Sequence, residues 1–187
     1  MGKEFCKIRI KWATQMLPDY KNICGRIATQ FIQEAMAAGS VQQILLAEAL
    51  YAKQLYGIYA EKFRLNDFVR DRDKRVLSPG RGLVNSFLDH GNYLAYGYSA
   101  AVLHTMGISY AFPVLHGKTR RGGLVFDVAD LFKDWLVLPL SFQCGASGAR
   151  EQEYRAKLIE TAHKSKLLDS LFDFLKSVAF LDIESDT

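Results

Sequence analysis

Along most of this chain apolar residues recur at intervals of three and four, the spacing of one helix face. The pattern predicts a helix over 4–16 that stops before Pro18, and a second over 20–38 that ends at Gly39. Ser40, with Gln43 three residues later, is a capping-box signature that opens a long helix from Val41 to Phe63. A charged connection over 66–82 leads to an aromatic, glycine-containing helix over 83–105, ended by Gly107. Ser109–Val125 reads as a short β-hairpin whose turn lies near Gly122-Gly123. Asp127–Leu138 is expected to be helical and to stop at Pro139. Two more helices are expected over 149–164 and 166–180, and the tail DIESDT is expected to fray. The expected fold is mainly α with one small β-hairpin. No repeat, linker or low-complexity segment breaks the chain, so 1–187 reads as a single helical domain.

Composition agrees with a packed domain. Hydrophobic residues make up 49% of 187, enough for a core and too many for a disordered chain. The net charge of +4, with a pI near 8.9, permits an anionic partner without requiring one. Cys6, Cys24 and Cys144 are an odd set with no ligand-like spacing; they read as reduced thiols of a cytoplasmic protein and argue against structural zinc. The opening MGKEFCKIRIKW lacks the apolar core of a signal peptide, and Cys6 breaks the myristoylation pattern that Met1-Gly2 begins. No stretch is apolar enough to span a membrane; His104, Gly107 and Ser109 interrupt the best one.

Charged residues on apolar faces change the picture. The stripe of the long helix runs Val41, Ile44, Leu45, Tyr51, Ala52, Leu55, Ile58 and Tyr59, and heptad counting from Val41 places Glu48 on the same line. A carboxylate there is costly unless it is paired, hydrogen-bonded or bound to a metal. A tyrosine or arginine of a neighbouring helix would satisfy it as well as an ion. Asp127, Asp130 and Asp134 share one helix face, while Val128, Leu131, Trp135 and Leu138 cover another. Asp127 suits an N-cap and Asp130 a first turn, which would explain both without chemistry. Asp134 reads as a solvated surface acid.

His116 reads as the end of an apolar strand, structural by itself. Together with Glu48 and Asp130 it makes a mixed nitrogen and oxygen set that suits Mg²⁺ or Mn²⁺ better than zinc. The loop GKTRRGG supplies Lys118, Arg120 and Arg121, either to hold phosphates beside such an ion or simply as a solvated hairpin tip. His90, His104 and His163 have no comparable company. In the aromatic helix, Gly91 and Gly97 each cost about 1 kcal/mol relative to Ala, which points to close helix packing. Tyr93, Tyr96 and Tyr98 read as core, or one of them as a platform for an unpaired base.

The run SFLDHGNYLAYGYSAAVLHTMG followed by VLHGKTRRGGLVFDVADLFKD resembles the CRISPR adaptation nuclease–integrase family, that of the first CRISPR-associated protein, and within it the I-F (Ypest) subtype. LLAEALYAKQLYGIYAEKF is similar to the family's helix bearing a metal-binding glutamate. The motif-bearing core is about 41–142. The resemblance implies the C-terminal catalytic domain, with Glu48, His116 and Asp130 as ligands of Mg²⁺ or Mn²⁺ and Asp127 as a supporting acid. It implies that Lys118 lies near DNA and that Tyr96 engages DNA ends. It implies an endonuclease and integrase that inserts new spacers by attack on a phosphodiester. The implied partners are spacer-precursor DNA, the CRISPR repeat, and a second adaptation protein, fused to a helicase–nuclease in the I-F subtype. Family members begin with a β-rich domain that builds a homodimer. No counterpart is expected here, since 4–38 matches only loosely, so the homodimer is not expected of this chain either. Two other readings stay open: a DNA-binding or scaffolding module of the adaptation complex without catalysis, and a metal phosphohydrolase of small molecules.

Overall fold

Short-range chemistry sets the helix boundaries. Ser40 is extended, and its Oγ accepts the Gln43 N–H at 3.3 Å, so the long helix starts where the capping pair predicts. The reciprocal arm goes one residue further back: Gln43 Oε1 accepts the Gly39 N–H at 2.6 Å, not that of Ser40. A computed structural model describes residues 1–65, 68–70, 79–117 and 121–181 of the chain. Their helices are α1 (Gly2–Met16), α2 (Tyr20–Ala37), α3 (Val41–Lys62), α4 (Pro79–Thr105), α5 (Gly123–Lys133), α6 (Val137–Ala146), α7 (Glu151–Lys164) and α8 (Leu167–Leu181). The tail DIESDT and most of the charged connection lie outside the described residues.

The helical class holds, but the expected β-hairpin does not form among the described residues. Residues 108–117 run as turns, bends and irregular backbone, and α5 already begins at Gly123. The reason is hydrogen bonding. Pro113 has no N–H, and the next three amides, of Val114, Leu115 and His116, are all accepted by the Asp127 carboxylate at 2.5, 3.2 and 3.2 Å. None is left for a cross-strand ladder. Gly122, at φ 74°, turns the chain into α5. Gly123 lies so close to Pro113 that a Cβ there would stand 2.7 Å from the proline Cβ.

The segment read as one helix over Asp127–Leu138 is two. α5 ends at Lys133, a turn follows, and α6 starts at Val137. Pro139 does not stop a helix; it is the third residue of α6, where first-turn N–H groups lack an intrahelical acceptor in any case.

The central helix α4 packs against α5 and α6 and also touches α7 and α8. α1 bridges α2, α3 and α5, and α3 lies on α2 and touches α6. Phe31 stacks on Tyr51 with centroids 4.6 Å apart, and Phe87 stacks on Tyr154 at 4.5 Å. Gly91 meets the expectation of close packing, since a Cβ there would fall 2.1 Å from Tyr154 Oη. Gly97 does not, for nothing lies within 4 Å of its Cβ position. Tyr93 is 75% exposed rather than core, and Tyr98 is half-buried. Cys6, Cys24 and Cys144 are buried and unpaired. Among the described residues no helix is long and apolar enough to cross a membrane.

Candidate metal centre

Three elements deliver the cluster. On α3, Ile44, Ala47, Tyr51 and Leu55 are buried, and Glu48 falls between them with only 14% of its side chain exposed. Asp127 and Asp130 lie on α5 and Asp134 caps its C-terminal end, but each finds a different partner. The third element is the irregular segment ending at His116, tied to α5 by Asp127. One ligand atom each from Glu48, His116 and Asp130 lies within 4.8 Å of the others, and the group could hold a metal ion. Two carboxylates and an imidazole are donors that Mg²⁺ or Mn²⁺ accepts.

Asp127 is not an N-cap. It sits in the middle of α5 and is buried. Besides the three backbone amides, it meets His116 Nδ1 at 2.7 Å. With Nδ1 as donor, Nε2 carries the lone pair that a metal would take. The hydrogen bond to Asp127 raises the His116 pKa above its ordinary value; burial opposes this, and the charges of Asp130 and Glu48 add to it. Asp130 lies beyond the first turn, so it does not serve the helix N-terminus. It forms an ion pair with Lys133, one turn on. Burial works to raise the Asp130 pKa, but the Lys133 ammonium and the Arg9 guanidinium overcome it and hold it below the ordinary value. Glu48 is pushed up, first by burial and then by the charge of Asp130, with Arg9, His116 and Lys133 opposing.

Asp134 is buried, not solvated. It holds Arg9 of α1 through two bonds, Nε to Oδ2 at 2.6 Å and Nη2 to Oδ1 at 2.8 Å. Arg9 also donates from Nη1 to Glu48 Oε1. The arginine partner that Glu48 could call on is therefore present together with the cluster geometry. Sequence reading missed Arg9 and Lys133. The signal for Arg9 was there: Phe5, Arg9 and Ala13 repeat at intervals of four, and all are buried.

A cleft of about 410 Å³ opens beside the cluster. Tyr96 lines it, with its ring edge-on to Phe126 at 4.7 Å and Lys133 Nζ 5.3 Å from its centroid. Arg121 is exposed in the turn before α5 and does not line this cleft. Lys118 and Arg120 lie outside the described residues. His90 meets Glu151 and Arg155 instead of a ligand set.

Comparison with known proteins gives this geometry its family. The chain is 44% identical over 138 residues to the CRISPR-associated endonuclease Cas1 of Pseudomonas aeruginosa (strain UCBPP-PA14), a match covering 74% of this chain and 41% of that protein. The chain thus spans less than half the length of that relative. Its fold is similar to a CAS1 protein from Thermotoga maritima, with a TM-score of 0.76 at 16% identity, covering 96% of this chain and 63% of that one. It is also similar to the protein in a crystal structure of a TtCas1–DNA complex, with a TM-score of 0.64 at 22% identity, covering 82% and 59%. The family model described as CRISPR associated protein Cas1 matches residues 7–161. The chain belongs to the Cas1 family.

Proposed function

We propose that this chain carries the catalytic centre of a divalent-metal-dependent DNA endonuclease and integrase of CRISPR adaptation, of the I-F subtype. The carrying observation is the convergence of Glu48, His116 and Asp130, from three separate segments, on one point at the edge of a cleft. In this reading those three residues hold Mg²⁺ or Mn²⁺, and Asp127 orients His116. A bound ion supplies Lewis acidity to a phosphodiester and lowers the pKa of a water or a DNA 3′-hydroxyl.

The chain's own groups do the rest. Three carboxylates, Glu48, Asp130 and Asp134, face two side-chain cations, Arg9 and Lys133, and a fourth, Asp127, is held by His116 and backbone amides, so the site carries an excess of acidic groups that suits a divalent cation. Lys133, beside Asp130 and the Tyr96 ring, offers positive charge to a phosphate entering the cleft. Tyr96 presents an aromatic surface to a DNA end. Lys118, Arg120 and Arg121 supply further positive charge for the DNA backbone. The partners are spacer-precursor DNA, the CRISPR repeat and the second adaptation protein, and the setting is the cytoplasm. The DNA complex of a structural relative supports the choice of substrate.

The test is cleavage of DNA with and without Mn²⁺ by the wild type and by Glu48→Ala, His116→Ala and Asp130→Ala. Each substitution should abolish Mn²⁺-dependent cleavage. Cleavage that survives in all three would sink the assignment. DNA binding by the wild type without any cleavage would favour a scaffolding module.

A further inference from the structure

Arg9 of α1 is buried, only 7% exposed. Its guanidinium is gripped on one edge by Asp134, in the paired geometry that Arg and carboxylate favour, and its remaining nitrogen donates to Glu48. Tyr51 and Phe31 cover it, with ring centroids 5.4 and 5.9 Å from Cζ. The Arg9 side chain is 8% exposed, so most of the solvent that would compete for these bonds is excluded. Neither Arg9 nor Asp134 belongs to the ligand group, yet together they connect α1 and the end of α5 to the glutamate of α3.

We infer that the Asp134–Arg9 pair is a positioning device for Glu48: it restrains the glutamate carboxylate so that a divalent cation meets a preformed donor. The inference rests on the metal reading above and goes beyond it, because it assigns a role to two residues outside the ligand group. Partners that orient metal ligands commonly change metal affinity by about 10–100-fold when removed. Two opposing effects must be separated. A buried guanidinium close to a cation site repels the cation, so if Arg9 acted through charge alone its loss would tighten metal binding. If it positions Glu48, its loss weakens binding.

The deciding variant is the double substitution Arg9→Met with Asp134→Leu. It removes one positive and one negative charge, so the local net charge is unchanged. It also avoids orphaning the Asp134 carboxylate in the core. Mn²⁺ affinity of the full chain, measured by the loss of the free-ion electron paramagnetic resonance signal, should fall about tenfold or more while the helical circular dichroism is retained. Arg9→Lys keeps the charge but cannot span two carboxylates with a planar fork, and it should also weaken Mn²⁺ several-fold. It decides the matter if the double variant does not fold. Mn²⁺ affinity equal to or tighter than wild type in a folded variant overturns the positioning role and leaves the metal reading intact. A wild type that binds no Mn²⁺, or binds it unchanged in Glu48→Gln, overturns both.

Discussion

Asp127 and His116 are joined twice: Asp127 Oδ1 meets the imidazole Nδ1 at 2.7 Å and the backbone N–H of the same histidine at 3.2 Å. One carboxylate thus sets both the ring orientation and the path of the chain that carries it. The other oxygen, Oδ2, extends the grip to Val114 and Leu115. Four donors converge on a residue that is 2% exposed.

Removing that acceptor strands several buried N–H groups at once. Asp127→Ala should destabilise the fold by about 3 kcal/mol, on the scale of one charged hydrogen bond lost with its donors left unpaired. In the protein that remains folded, Mn²⁺ affinity should drop about 10–100-fold as His116 loses its orientation. Chemical denaturation and metal titration check the two parts separately. Unchanged metal affinity would mean that His116 needs no orienting partner.

Gly91 and Gly97 of α4 should respond in opposite directions. Gly91→Ala places a methyl 2.1 Å from Tyr154 Oη and 2.6 Å from Val137 Cγ1, and overpacking of that kind costs about 1–3 kcal/mol. Gly97→Ala meets nothing within 4 Å on an exposed stretch of helix and should stabilise by about 1 kcal/mol. Thermal melts of the two variants are sufficient. A destabilised Gly97→Ala would show that this face of α4 is covered in solution.

Arg121, exposed in the turn that leads into α5, tests the reading of the basic loop. If Arg120 and Arg121 each contact a phosphate, replacing both with alanine should flatten the log–log salt dependence of duplex binding by up to roughly 2. Duplexes of different sequence should weaken about equally. DNA affinity across a salt series gives the slope, and an unchanged slope assigns the loop to solvent.

Most of the helices were legible because their signals are local. Ser40, Gly39 and the periodic apolar positions act within a turn or two of where they stand. The cluster of Glu48, His116 and Asp130 was legible partly through cost: Glu48 on an apolar line demanded a partner, and His116 and Asp130 had chemistry to match. The resemblance to the CRISPR adaptation family then singled out those same three residues. The failures at Asp127, at Asp134 and at the hairpin share one cause. Asp127 and Asp134 look like a cap and a surface acid when only α5 is considered. Their roles are set by Val114–His116 and by Arg9, residues far away in sequence that a local window does not contain. The hairpin failed for the same reason, since a side chain from outside the segment took its amides. Arg9 could have been found by asking which helix carries a cation on its own buried line.

The bond between Arg9 and Asp134 joins positions 125 residues apart. Closing a chain loop of that length costs about 4 kcal/mol of entropy, so the contact cannot form early by local collapse. Until it forms, Glu48 and Asp134 have no guanidinium between them and their charges oppose burial of both around α1. Chain order eases this. α1 precedes both helices, so during synthesis the cation is made before any of the acids it will neutralise. The centre is in this sense assembled around an arginine, and the moment α1 docks is the moment the acidic face becomes compatible with a buried interior.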